Sequence, residues 1–385
     1  MGPLSGVRIV EFAGLGPAPF GAMMLADLGA EIIRIDRPGG YPAPDPSLDF
    51  EQFGKFAFYN RNRRTVRLDL KAAKGREAAL HLIRHADALI EGFRPGVMER
   101  LELGPTECLA ANPRLLYARM TGWGQTGPLA RTAGHDLNYI GLSGALGLFK
   151  PHPEEEPAIP PLVGDMGGGG LFMAFGLLAG VISARTTGKG QVMDAAIADG
   201  SALLYATIKS LHKAGAWPHP AGGNTIDGGR YFYRVYRCSD GLLVSVGAIE
   251  PAFRAVLLEK LQLANDPAFA DDNASMEAER RDKVARVFAT KTRDQWAEIF
   301  STTDGCVSPV LSMDEAEAHP HARARDAFPE IDGVSQPAPG PRFSETPGEI
   351  RIAPDAASRS DPGALAAWGF SPDAIEALCS AGILN

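Results

Sequence analysis

Two short segments set ionisable side chains among glycines: Gly134-His135-Asp136-Leu137-Asn138-Tyr139 and Gly164-Asp165-Met166-Gly167. An imidazole changes charge near neutral pH, so His135 can give or take a proton under working conditions. Asp165 stands ahead of an apolar run, Leu171–Ala184, and so near a helix N-terminus. A carboxylate there either caps the helix or meets the positive end of its dipole. The flanking glycines leave room for a ligand and bare the backbone N–H groups of Asp165–Gly167, which could hold an oxyanion. Taken together, imidazole and carboxylate make an acid/base pair. Taken singly, His135 is a hydrogen-bonded structural residue and Asp165 an N-cap. Spacing leaves both readings open.

Cations gather elsewhere. Asn60–Arg67 carries four arginines in eight residues, Arg34 and Arg37 close a β-rich run, and Arg94 and Arg100 flank the turn in EGFRPGVMER. Guanidinium forks grip phosphates bidentately, which suits a small polyanion. The alternative is a solvated face laced with ion pairs. A dinucleotide fingerprint is mimicked by Gly14-Leu15-Gly16 followed by Asp36. The third glycine position is Pro19, however, and Pro17 removes a further N–H, so the bare donors a pyrophosphate needs are missing. The segment reads as an ordinary strand-to-helix turn. Methionines at 23, 24, 120, 166 and 173 fit core packing or an adaptable apolar pocket.

The elements that must position these groups alternate. Val7–Phe12, Glu31–Ile35, Ala88–Ile90, Leu115–Arg119 and Gln191–Ile197 read as strands, with helices at Phe20–Leu28 and Arg76–His85. Such alternation predicts βαβ units and a parallel sheet covered on both faces. Gly164–Gly170 reads as a glycine-rich turn opening the helix Leu171–Ala184. After Lys213 the texture changes to a Gly/Pro-rich connection. A hairpin follows, Arg230–Arg237 with Leu242–Gly247, and then amphipathic helices near Pro251–Leu261, Met276–Thr290 and Thr292–Phe300. Pro337–Pro354 reads as a wrapping segment and Pro372–Ala381 as a last helix. The expected division is a large domain over 1–212, a linker over 213–229, a small α+β domain over 230–320 and a return segment over 321–385.

The 385 residues are 45% hydrophobic and 22% charged, which excludes wholesale disorder. A net charge of −8 argues against nucleic acid and anionic membranes as partners. Cys108, Cys238, Cys306 and Cys379 are far apart, which excludes a disulfide framework and a cysteine zinc site and fits the cytoplasm. No secretory signal is evident, and the 14-residue apolar run is short for a bilayer.

The chain resembles the family III CoA-transferases, the carnitine/bile-acid-inducible type. The resemblance starts at PLSGVRIVEFAGLGPAPFGAMMLADLGAEIIRIDRP and continues through RNRRTVRLDLK, ALIEGFRPGVMERLELGP and YARMTGWGQTGP. It extends through AGHDLNYIGLSG, PPLVGDMGGGG, TGKGQVMDAAIADG and YRCSDGLLVSVGAIEPAF. It implies an α/β fold: a Rossmann-like large domain built from both chain ends, a smaller α+β domain, and an interlocked homodimer. GHDLNY and VGAIEP are similar to the members that racemise 2-methylacyl-CoA thioesters. The resemblance then implies that Asp165 and His135 are catalytic acid/base groups and that Glu250 pairs with His135. It places CoA against Arg37, Arg63, Arg94, Arg100, Gly134, Asp136, Asn138 and Tyr139. No metal or separate cofactor is implied, because coenzyme A enters with the substrate. In the transferase members the carboxylate matching Asp165 is instead a nucleophile. A third reading is an idle acyl-CoA-binding homologue.

Overall fold

The computed structural model describes residues 2–40, 45–49, 52–149, 159–271 and 274–385. Six strands form one sheet: β1 (Arg8–Phe12), β2 (Glu31–Asp36), β3 (Arg64–Arg67), β4 (Ala88–Glu91), β5 (Leu116–Thr121) and β6 (Gln191–Ala196). Their order is β3-β2-β1-β4-β5-β6, and every pairing is parallel. Val10 lies between Ile33 and Leu89, and Ala118 between Ile90 and Met193. This is the doubly wound order, whose crevice opens beyond the carboxyl ends of the two central strands, here β1 and β4.

Period-two alternation divides the strand side chains between two cores, so the strands read as continuous apolar runs. Val10, Phe12, Ile33, Ile35 and Leu89 face α2 (Ala73–Arg84) and the chain end, where Leu365, Trp368 and Leu384 are buried. Ile9, Ile32, Ile90 and Ala118 face α1 (Pro17–Asp27) and the long helix α5 (Leu162–Thr187). By length and composition α5 could cross a membrane, but Met173, Leu177 and Val181 pack against the sheet like a core helix.

The glycine run is helical rather than a turn. Leu162–Leu171, the start of α5, is wound as a π-helix, and Gly168, Gly169 and Gly170 are buried in it. A Cβ at Gly170 would come 2.6 Å from the Pro17 carbonyl oxygen of α1. One at Gly168 would come 2.5 Å from the backbone of Ser201 in α6 (Ile197–Leu204). Glycine weakens a helix on its own, but here it lets three helix backbones approach.

Arg64 is exposed and pairs with Asp361 at 2.8 Å, but the rest of Arg61–Arg67 is neither a solvated face nor an open patch. Val66 is buried in β3. Arg61 binds Asp27 of α1 at 2.6 Å and donates to Gln336 and to the Pro337 carbonyl. Asn62 accepts the N–H groups of Arg351 and Ile352. The cluster thus ties the C-terminal wrapping segment to the sheet.

The chain divides into two compact units. The sheet unit takes the N-terminal half together with Arg323–Asn385, and the second is built on Thr207–Ala322. In the second, β7 (Tyr233–Arg237), β8 (Leu243–Gly247) and β9 (Val307–Pro309) form an antiparallel sheet. Its core contains Tyr236, Val244, Leu257, Phe288 and Trp296.

Candidate active site

The crevice of the doubly wound sheet is bordered by the loop leaving β1. Gly16 stands there at φ 70°, a conformation open to glycine, and Pro17 then starts α1. The neighbour across this turn is Asp165: a Cβ at Gly16 would lie 3.0 Å from its Oδ2. A carboxylate of the chain itself therefore occupies the place where a dinucleotide fold holds phosphate.

Asp165 lies in the first turn of α5 and is held from α4 (Asp136–Ser143). Its N–H donates to Asp136 Oδ1 at 2.6 Å, and the Gly164 N–H reaches the same carboxylate. A Cβ at Gly164 would overlap that oxygen, so the glycine there is a requirement of close approach. His135 is the N-cap of α4, with its N–H given to Asn138 Oδ1 at 3.0 Å. The covalent neighbour of His135 is thus hydrogen-bonded to Asp165. Chain geometry then limits the two Cα atoms to roughly 11 Å apart. The imidazole is exposed.

The tyrosine of the same motif is buried beside it. Tyr139 packs edge-on to Trp123, ring centroids 4.7 Å apart, and its hydroxyl donates to the Gly134 carbonyl. A Cβ at Gly134 would come 2.7 Å from the Tyr139 ring, so Gly134 lets the chain pass beside it. The Asp165 charge is felt at both Tyr139 and Tyr59, whose hydroxyls are pushed up, chiefly by burial. Tyr139 is pushed to about 12. Burial raises the Asp165 carboxyl from 3.8 to about 6, and the negative charge of Asp136 adds to the rise. Such a group changes protonation state within the physiological range.

The backbone donors expected at Asp165–Gly167 are largely spent. The Asp165 N–H is held by Asp136, and the Met166 N–H by the Pro161 carbonyl at 3.2 Å, the i−5 partner of a π-turn. Asp136 is 7% exposed and serves as a tie between helices. The first-turn N–H groups of α4, at Asp136 and Leu137, have no acceptor among the described residues.

The arginines separate into two groups. Arg37 follows β2 with its Nε on the Gly40 carbonyl at 2.5 Å, Arg94 lies on the loop after β4, and Arg100 ends the short helix α3 (Val97–Arg100). All three are exposed at the carboxyl edge of the sheet. Arg63 is different: it has no exposed surface, and its Nη1 binds both oxygens of Glu11, itself fully buried in β1, at 2.7 Å. This cation is neutralised inside the fold and has no surface to offer a ligand. Glu250 belongs to the second unit, where it is exposed at the N-cap of the helix Pro251–Lys260.

Spacing alone did not reveal a clamp on the Arg94 loop. Arg119 of β5 donates through Nε to Glu91 at 2.8 Å and through Nη1 to Glu99 at 2.8 Å, while Glu91 also accepts the Phe93 N–H. Burial pushes Glu91 up to about 7 even so.

The fold and this site define a Rossmann-type α/β protein with a half-buried carboxyl, raised to about 6, at its switch point. The chain belongs to CoA-transferase family III, whose family model matches residues 4–357. It is 41% identical over 347 residues to α-methylacyl-CoA racemase of Mus musculus, covering 89% of this chain and 87% of that one. Against the Homo sapiens racemase the identity is again 41%, over 346 residues, with the same coverage. Among solved structures, a CAIB/BAIF family protein from Brucella suis superposes with a TM-score of 0.76 at 25% identity, covering 91% of this chain and 95% of that one.

Proposed function

We propose that this protein is an isomerase that inverts the α-carbon of 2-methylacyl-CoA thioesters. The observation that carries the reading is the Asp165 carboxyl, raised to about 6 and tied through Asp136 to the helix that His135 caps. The α-proton of a thioester is weakly acidic. Inversion needs one group to remove it and a second to return a proton from the opposite face. His135 and Asp165 take these roles and exchange them for the other enantiomer. A carboxyl poised near 6 exists in both the forms this demands. The unpaired N–H groups at the start of α4 are the donors for the enolate oxygen, in place of the spent ones at Asp165 and Met166. No separate cofactor or metal takes part.

In this reading Arg37, Arg94 and Arg100 meet the CoA phosphates, with Gly134, Asn138 and Tyr139 lining the thioester end. Arg63 holds Glu11 and the sheet edge instead. Glu250 keeps the role the family resemblance implies, orienting His135 of the same chain or of the partner copy. A homodimer is part of the proposal. On α5, Leu171, Phe175 and Ile182 are 49%, 71% and 66% exposed, an apolar stripe suited to a second copy. The four free cysteines support the cytoplasm and its reducing conditions.

Family membership favours one other reading, CoA transfer between carboxylic acids with Asp165 as nucleophile. One experiment separates them. Enantiopure 2-methylacyl-CoA is incubated in D₂O without any acceptor acid and followed by NMR. Inversion with α-deuteration supports the isomerase. An unchanged α-proton, with turnover only once a carboxylic acid is added, refutes it.

A further inference from the structure

A second cationic concavity lies at the opposite edge of the sheet. It is a cavity of about 250 Å³ lined by Arg84, His85, Asp87, Asn112, Arg114 and Arg185, with an apolar wall from Val181 and Ala184. Arg84 ends α2, Asp87 immediately precedes β4, Arg114 lies two residues before β5, and Arg185 is in the last turn of α5. These positions mark the amino edge of the sheet. The crevice holding Asp165 is beyond the carboxyl edge, a strand length of about 16 Å away.

The acceptors of this cavity are already used. Asp87 Oδ2 takes the Arg8 N–H at 2.9 Å, and its Oδ1 takes Nε and Nη2 of Arg185. Both amide hydrogens of Asn112 go to the carbonyls of Ile83 and Ala86, and its oxygen takes the Arg114 N–H. The guanidinium donors are only partly used: Arg185 spends Nε and Nη2 on Asp87 and the Gly6 carbonyl. Neither Arg84 nor Arg114 has a side-chain partner among the described residues, and Arg185 keeps Nη1. Three guanidinium groups against one carboxylate leave an excess of positive charge in a protein of net charge −8. A site with guanidinium donors to spare and its one carboxylate already paired favours an anion, and forked guanidinium groups match phosphate oxygens.

We propose that this cavity is a second anion site, separate from the acyl-CoA crevice, that takes a small phosphate-bearing molecule on Arg84, Arg114 and Arg185. The test titrates inorganic phosphate into the full chain by calorimetry at low ionic strength. It compares wild type with Arg84→Gln/Arg114→Gln and with Arg94→Gln/Arg100→Gln. The expected result is saturable binding that weakens about tenfold or more in the first variant, as each lost charge-assisted bond predicts. It persists in the second. Both targeted side chains of the first variant are exposed; should that variant melt early, Arg114→Gln alone is read the same way. No saturable binding, equal binding in wild type and the first variant, or loss confined to the second variant would each overturn the assignment.

Discussion

Replacing Asp136 with asparagine should move the pH dependence of α-proton exchange downward. The substitution keeps the shape of the side chain and an oxygen to accept the Asp165 N–H, but it removes the negative charge beside Asp165. Asp165 is raised from 3.8 to about 6, a rise corresponding to ~3 kcal/mol. Burial is the larger cause and remains; the Asp136 charge is the smaller, so about one pH unit at most is released. Where Asp165 is the base, wild-type kcat/KM falls as acidity rises through about pH 6, and the variant should hold its rate to lower pH. Where Asp165 is the acid, the rate falls as pH rises through the same value, and the variant should fall earlier. The assay is α-deuteration of each enantiomer in buffered D₂O from about pH 4 to 9. An acidic limb that stays in place, or moves upward, in a folded variant that binds CoA would refute the electrostatic link.

Four further outcomes follow from the same geometry. Arg63→Ala should destabilise the fold by about 3–5 kcal/mol in urea titrations, since it strands a buried Glu11, whereas Arg94→Gln should weaken CoA binding with little change in Tm. Phe175→Asp on the exposed stripe of α5 should yield monomers in sedimentation equilibrium. Glu91 titrates near 7 in the fold and near 4.5 unfolded, so the native state binds the extra proton between these values. Its contribution to stability should therefore decline as pH rises through that window, by up to about 3 kcal/mol, and Glu91→Gln should flatten the decline.

Much of the sheet was legible in the residues. The runs VRIVEF and EIIRI mark interior strands, and Ser239-Asp240-Gly241 marks the β7–β8 turn, because local patterning and tertiary placement agree there. Strand β3 was hidden: RTVR resembles a cationic patch, and its place beside β2 depends on carboxylates distant in sequence. The run GDMGGGG was misread for the opposite reason. Glycine propensity signals a turn, but close contacts with Pro17 and Ser201 override it. At the site, residue type pointed to His135 and Asp165, while the tie between them did not show. Asp136 and Asp165 are 29 residues apart, and no spacing rule connects them. Arg63 was legible as a cation, but its burial against Glu11 was not.

The two-base account is tested most directly by turnover of enantiopure 2-methylacyl-CoA in D₂O by wild type, His135→Ala and Asp165→Ala. The account predicts that inversion by His135→Ala falls by about 10²–10⁴-fold while CoA binding is kept, and that Asp165→Ala fails to a similar degree. Near-normal inversion by His135→Ala, with activity lost only in Asp165→Ala, would contradict it.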